Sequence, residues 1–271
     1  MEIYNKINTL IAENESFVTA TIVEHKGSAP GKTGFKIIIE SDGTTTGTVG
    51  GGAIEKKVIE EAQKRLSTSE NGLQEYLLSD KIEKDETAEI VPMSCAGRVT
   101  IFYEVNGNRP TVYVFGGGHV GQALLYHLKP LGYHSILVDN RIEFAEAVKN
   151  PNASEIIHAD YEEFANSFEP VPNSFVAILT HGHKYDSKIL NIFYKRGLDF
   201  PYIGIIASKT KAAGIMKNLR DSLDEKVDTS KIYSPIGLKI GGNSASEIGL
   251  AISAEIQSVR YGKILIDGDK K

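Results

Sequence analysis

Gly116-Gly117-Gly118-His119-Val120-Gly121 follows the apolar run Thr111-Val-Tyr-Val-Phe115 and leads into Leu124, Leu125 and Leu128. A strand running through Gly-x-Gly-x-x-Gly into a helix is the dinucleotide fingerprint. Gly116 permits the tight turn, Gly118 lets backbone approach a pyrophosphate at the helix N-terminus, and Gly121 lets helix and strand pack closely. Asp139 ends the next apolar run, 18 residues after Gly121, where a carboxylate would accept a ribose 2′-hydroxyl and favour NAD over NADP. The same glycines also suit a Rossmann scaffold that binds something else, because fold does not fix function. His119 either lines a ligand or caps the helix.

The first half carries two further glycine loops, Gly27-Ser28-Ala29-Pro30-Gly31-Lys32 and Gly47-Thr48-Val49-Gly50-Gly51-Gly52. Successive backbone N–H groups in such loops form anion nests, and Lys32 with a helix dipole would suit a phosphate or an anionic pterin tail. The alternative is a pair of tight turns in a small sheet. Glu55, in the first helical turn after Gly52, is either a ligand contact or a partner of the helix dipole.

Cys95 sits in Met93-Ser94-Cys95-Ala96-Gly97-Arg98. It reads as a small buried hydrophobe, or as a thiol that handles sulfur or touches a metal, its pKa depressed by Arg98. His181-Gly182-His183-Lys184-Tyr185-Asp186 follows an apolar run ending at Thr180, which puts it at the carboxyl edge of a sheet, where open α/β folds bind ligands. Two His and one Asp are an incomplete metal shell. Hydrogen bonding or acid–base work fits them better.

These segments need a frame. Ile3, Ile7, Leu10 and Ile11 lie on one helical face. Val/Ile/Thr-rich runs at 17–24 and 35–40, with a turn at Asp42-Gly43, predict a small sheet. Ile54, Val58, Ala62 and Leu66 predict a helix, 73–78 and 98–104 predict strands, and 79–89 stays unassigned. Turn formers at 106–110 mark a boundary. Beyond it, strands at 111–115, 134–138, 174–180 and 202–206 alternate with helical stretches, the pattern of parallel βαβ units. Ser244 to Glu247 is a capping box before Ile248, Ile252, Ile256 and Val259. The fold class is therefore α/β: a small N-terminal α+β domain, 1–106, followed by a Rossmann-like domain with a doubly wound parallel sheet, 107–271.

Composition narrows the function classes. With 271 residues, 41% hydrophobic and 24% charged, the chain can bury a sizeable core. Its net charge of −5 gives no field to recruit nucleic acid. A single cysteine forbids an intrachain disulfide and a Cys cluster, and no apolar run is long enough to span a bilayer. The expectation is a soluble cytoplasmic protein with neither nucleic acid nor membrane as partner.

Taken in order, Gly-Ser-Ala-Pro at 27–30, Gly-Thr-Val-Gly-Gly-Gly-Ala-Ile-Glu at 47–55, Ser-Cys-Ala-Gly-Arg-Val at 94–99 and Gly-Gly-Gly-His-Val-Gly at 116–121 resemble the XdhC/CoxI family. Asp139-Asn-Arg141, His181 with Asp186, the stretch 203–211 and Ser234-Pro-Ile-Gly-Leu238 extend the resemblance over nearly the whole chain. The family comprises accessory factors of xanthine dehydrogenase and related molybdenum hydroxylases. The resemblance implies a non-catalytic maturation factor, a chaperone that binds molybdenum cofactor (molybdopterin) and assists its sulfuration and insertion. It also implies two partners, the cofactor-binding subunit of the molybdenum hydroxylase and a cysteine desulfurase; a homodimer is expected besides. By the residue matches, candidate cofactor contacts are Ser28, Lys32, Gly50, Gly51, Gly52, Glu55, Cys95, Gly116, Gly118, His119, Gly121, Asp139, His181 and Asp186, with Cys95 the candidate molybdenum contact. Gly31 stands where the family commonly has Arg, and Ala96 where it has a second Gly. The rival reading is an NAD-dependent oxidoreductase using the fingerprint, with His181 or His183 as acid–base group.

Overall fold

The computed structural model describes residues 2–80, 88–94, 97–107, 109–223 and 227–263. The chain divides into two compact units, Met1–Asn108 and Arg109–Lys271.

In the N-terminal unit, α1 (Glu2–Ala12) precedes strands β1 (Phe17–Gly27), β2 (Lys36–Glu40) and β3 (Thr45–Gly47). Helix α2 (Gly52–Thr68) and strands β4 (Gly72–Ser79), β5 (Glu89–Pro92) and β6 (Gly97–Asn106) follow. The sheet order is β3-β2-β1-β6-β4-β5, antiparallel except for the β4–β5 pair. Alternation sorts the side chains: Val18, Ala20 and Ile22 of β1 and Ile37 and Ile39 of β2 face α2, while Phe17 and Ile38 face α1 and Leu10. Ile54, Val58 and Ala62, four apart, seat α2 on that face, and burying each of the two larger side chains contributes about 1.5–3 kcal/mol. Ser69, in the left-handed conformation, ends α2 by donating its N–H to the Arg65 carbonyl. Within this core the Tyr76 and Tyr103 hydroxyls satisfy each other at 2.6 Å, and burial pushes both phenols to higher pKa.

β1 has partners on both sides, and its pairing with β6 runs from Phe17↔Asn106 to Gly27↔Gly97. The residue pattern gives no sign of β5. That strand falls partly in the unassigned stretch 79–89, of which 81–87 lie outside the described residues.

The C-terminal unit is an all-parallel sheet in the order β12-β11-β10-β7-β8-β9. Its strands are β7 (Thr111–Phe115), β8 (His134–Asp139), β9 (Glu155–His158), β10 (Phe175–Ile178), β11 (Ile203–Ile205) and β12 (Ile232–Tyr233). The chain goes from β7 outward through β8 and β9, then returns to β10 on the other side of β7. That is the doubly wound arrangement expected, with its topological switch point between β7 and β10. Helices α3 (His119–Leu128) and α7 (Ala245–Arg260) pack on one face through Leu124, Leu125, Leu128, Ile252 and Ile256. The opposite face takes α4 (Tyr161–Ser167), α5 (His183–Lys195) and α6 (Lys209–Ser222) through Ala165, Ile189, Phe193, Ile215 and Leu219. Ser244 and Glu247 form the capping box that starts α7. No described helix is long and apolar enough to cross a membrane.

Candidate functional site

The loop after β7 has the conformation its glycines predict. Gly116 has φ +115°, and a Cβ there would stand 2.4 Å from the Leu179 carbonyl oxygen, so β7 and the end of β10 touch through bare backbone. A Cβ at Gly121 would lie 2.0 Å from the Gly116 carbonyl oxygen, so the close seating of α3 on the turn requires glycine. At Gly118 there is open space where a Cβ would be. The N-terminus of α3 therefore has open space beside Gly118 at the switch point, its first-turn N–H groups without intrahelical acceptors. Gly118 itself is the N-cap and no side chain caps the helix, so His119 does not cap; it is exposed beside the loop.

Asp139 does something other than expected. It is fully buried, and its carboxylate accepts four N–H bonds: from Gly117 N (2.7 Å), Arg141 N (2.9 Å), Arg141 Nε (3.0 Å) and Arg141 Nη2 (2.8 Å). Burial alone would raise its pKa, but the bonds from Arg141 and Gly117 outweigh that and hold the carboxyl below its usual range. The expected acceptor of a ribose hydroxyl is thus a brace that ties the glycine loop to Arg141. The Arg141 guanidinium lies over the Phe144 ring at 3.9 Å.

Asp186 also departs from expectation. It is fully buried in the first turn of α5 and accepts from Thr180 Oγ1 at 2.5 Å, while Thr180 also reaches the Gly182 carbonyl at 3.0 Å. It ties the first turn of α5 to Thr180. His181 is exposed at the rim of that loop, its ring 5.3 Å from Tyr185 and 6.4 Å from Tyr161. The His183 side chain lies outside the described residues.

In the N-terminal unit the structure brings three motif segments together. A Cβ on Gly31 would stand 2.2 Å from the Val49 carbonyl oxygen, one on Gly50 2.7 Å from Gly31 N, and one on Gly97 2.4 Å from the Ser28 carbonyl oxygen. Gly31, where the family commonly has Arg, is buried in that contact and has no room for a side chain; Ser28 and Lys32 are exposed. Part of the anion nest expected at Gly50–Gly52 is occupied by the protein's own groups. Glu55 Oε2 accepts from Thr48 Oγ1 (2.6 Å), Val49 N (3.2 Å) and Gly51 N (3.1 Å), and Gly50 N donates to Thr48 Oγ1 (3.0 Å). Glu55 closes its own loop. Cys95, the candidate molybdenum contact, lies outside the described residues, and among those described no three His, Cys, Asp or Glu gather as a metal site.

Residues 112–256 match the XdhC Rossmann domain, and residues 10–77 match the XdhC and CoxI family. The chain belongs to the XdhC and CoxI family. It is similar to the uncharacterized protein YqeB of Escherichia coli K12, 28% identical over 96% of this chain. The chain spans about half that relative's length, 46% of it. It is also similar to a protein of Bacillus subtilis 168 named as a probable subunit of xanthine dehydrogenase, at 22% identity over 95% of this chain and 97% of the relative. A crystal structure described as a xanthine dehydrogenase from Bacillus halodurans shares the fold, with TM-score 0.52, 20% identity and 97% of each chain covered.

The sequence shows Arg141 only as part of a motif and gives no sign of Tyr161. Tyr161 begins α4 fully buried, 6.3 Å from Phe115, and its hydroxyl has no hydrogen-bond partner among the described residues. An Asp-x-Arg at the end of a fingerprint's second strand is the available signal for Arg141.

Proposed function

We propose that this chain is an accessory factor for a molybdenum hydroxylase of the xanthine dehydrogenase type, binding molybdenum cofactor and assisting its sulfuration and insertion. The observation that carries the reading is the α3 N-terminus at the β7–β10 switch point, beside which Gly118 leaves open space. First-turn N–H groups there would bind phosphate oxygens, as would those of any helix so placed. The site fits the anionic tail of such a cofactor. A bound cofactor would supply its own molybdenum and sulfur chemistry. The chain's part is to hold the phosphate at the α3 N-terminus, with His119 and His181 exposed to solvent. Family membership and the xanthine dehydrogenase-related relatives support this reading.

The proposed partners are the hydroxylase subunit that accepts the cofactor, a cysteine desulfurase that supplies the sulfur, and a second copy of the chain; the proposed compartment is the cytoplasm. Anaerobic loading with molybdenum cofactor, followed by pterin and molybdenum assay, tests the binding. Retained pterin and activation of an apo-hydroxylase are expected. Neither retention nor activation overturns the reading.

A second reading is favoured by the same glycine loop: a nicotinamide dinucleotide seated on the fingerprint, with exposed His181 as the acid–base group of an oxidoreductase. Calorimetric titration with NAD+ and NADP+ tests it, and heat from neither overturns it.

A further inference from the structure

Helix α7 shows solvent a side whose charges stand only at its two ends. Gly249, Ala251, Ile252, Ser253, Glu255 and Ile256 form its buried side. At 3.6 residues per turn, Glu247, Leu250, Ala254, Ser258 and Tyr261 follow one another along the opposite side. Leu250 and Tyr261 are 47% and 59% exposed, and Ala254 and Ser258 are half-buried. The neighbouring α3 extends this surface. Its Tyr126 is 63% exposed, with its ring against His127, whose Nε2 lies 3.3 Å from the Ser246 carbonyl at the start of α7. Exposed tyrosine and leucine on packed helices have the composition of an interface core.

Glu247, exposed in the first turn, accepts from Asn243 N, Ser244 N and Ser244 Oγ of its own cap and pairs with no Lys or Arg among the described residues. Arg260, exposed in the last turn, lies over the Tyr133 and Tyr261 rings at 5.2 Å each and pairs with no carboxylate among the described residues. Between the two, the one charged residue is Glu255, buried with Tyr202 and Gly237. An acid at the start and a base at the end also suit the dipole of α7 itself. The dipole accounts for the signs of the ends and not for the uncharged, apolar run that separates them.

We propose that α7 is a self-association surface, on which two copies of this chain lay α7 against α7, antiparallel, with Glu247 of each copy meeting Arg260 of the other. A two-fold axis at Ala254 sets the register, since Leu250 and Ser258, and likewise Glu247 and Tyr261, lie equally far on either side of it. The small Ala254 side chain at the axis lets the helices approach, and Arg260, stacked on Tyr261, stands where Glu247 of the second copy arrives. The inference rests on the second copy proposed above as a partner and gives it a place on the fold; no cofactor is involved.

The test is sedimentation velocity of the full chain from about 1 to 200 μM, with thermal melting of each variant to check its fold. The parent should pass from monomer to dimer within that range. Leu250→Lys puts two charges into the apolar run, and Arg260→Glu and Glu247→Lys each turn two attractions into two repulsions, so each should weaken pairing about tenfold or more. An equal mixture of Arg260→Glu and Glu247→Lys joins complementary ends again and should pair about as tightly as the parent. No effect on the fold of a single chain gives that rescue. Should Glu247→Lys, which opens the capping box, not fold, Leu250→Lys and Arg260→Glu decide alone. A dimer that the variants leave unchanged, or a mixture no tighter than either variant, overturns the α7 interface and leaves a second copy bound elsewhere. A monomer at all concentrations overturns both.

Discussion

Replacing Asp139 by Asn keeps the shape of the side chain and removes its charge. Two of the four bonds, Arg141 N and Nε on one oxygen, survive on the amide carbonyl. The other oxygen becomes an NH2 facing two donors, Gly117 N and Arg141 Nη2. Gly117 is buried, so its N–H loses its only acceptor in that loop, and the guanidinium loses its counter-charge. Breaking a fully buried ion pair costs about 3–5 kcal/mol; water reaching Arg141, 27% exposed, brings the expected cost to roughly 2–3 kcal/mol. For a unit the size of Arg109–Lys271 this is a fall in Tm of about 4–12 °C, read by scanning calorimetry. In an Arg141→Met background the same substitution should cost much less, since its partner is already gone. The parent should also show an acid limb that Asp139→Asn lacks. The folded carboxyl sits below the usual 3.8, so its contribution is complete above that value and is lost as pH falls through the lower, folded value. A Tm fall under about 1 °C, with an unchanged acid limb, would refute the assignment of Asp139 as the brace of the loop.

Glu55→Ala should lower the stability of the N-terminal unit by about 2 kcal/mol in urea titration, since three donors lose one acceptor. The same variant should gain stabilisation by phosphate that the parent lacks, because its nest is emptied. Gly121→Ala should cost about 3 kcal/mol or more, its Cβ meeting the Gly116 carbonyl at 2.0 Å. Gly118→Ala, with open space around its Cβ, should leave Tm within about 1 °C yet weaken phosphate-bearing ligands, measured by calorimetry. Glu255→Ala, which takes a buried acceptor from Tyr202 Oη (2.7 Å) and Gly237 N (2.8 Å), should lower Tm through a loss of about 2–4 kcal/mol.

The elements are legible where one pattern dominates. Ile54, Val58 and Ala62 predict α2, and the Val/Ile runs at 111–115 and 134–138 predict β7 and β8, because burial on one or both faces writes itself into residue order. β9 and β12 escape: they are short edge strands, four and two residues long, without a fully buried face. The glycine loops are visible as loops, but their electrostatics are not. Spacing puts Asp139 and Glu55 near backbone donors and cannot show that those donors belong to the protein's own loops, since that depends on side-chain direction. The same holds for Asp186: a position at the carboxyl edge does not say that its carboxyl accepts from Thr180.

The long pairing of β1 with β6 bears on how the chain is made. Phe17 waits for Asn106 and Gly27 for Gly97, so the central seam of the first sheet joins the beginning of its unit to the end. During synthesis, β1 and β2 can zip together as a local hairpin, while the other edge of β1 stays open until the last strand has emerged. Until then Val18, Ala20 and Ile22 can be covered by α2 on one face but have no strand beside them on the β6 side. A nascent chain halted before Gly97 therefore presents an unpaired, apolar strand edge, the kind of surface that chaperones retain and that aggregates when left alone.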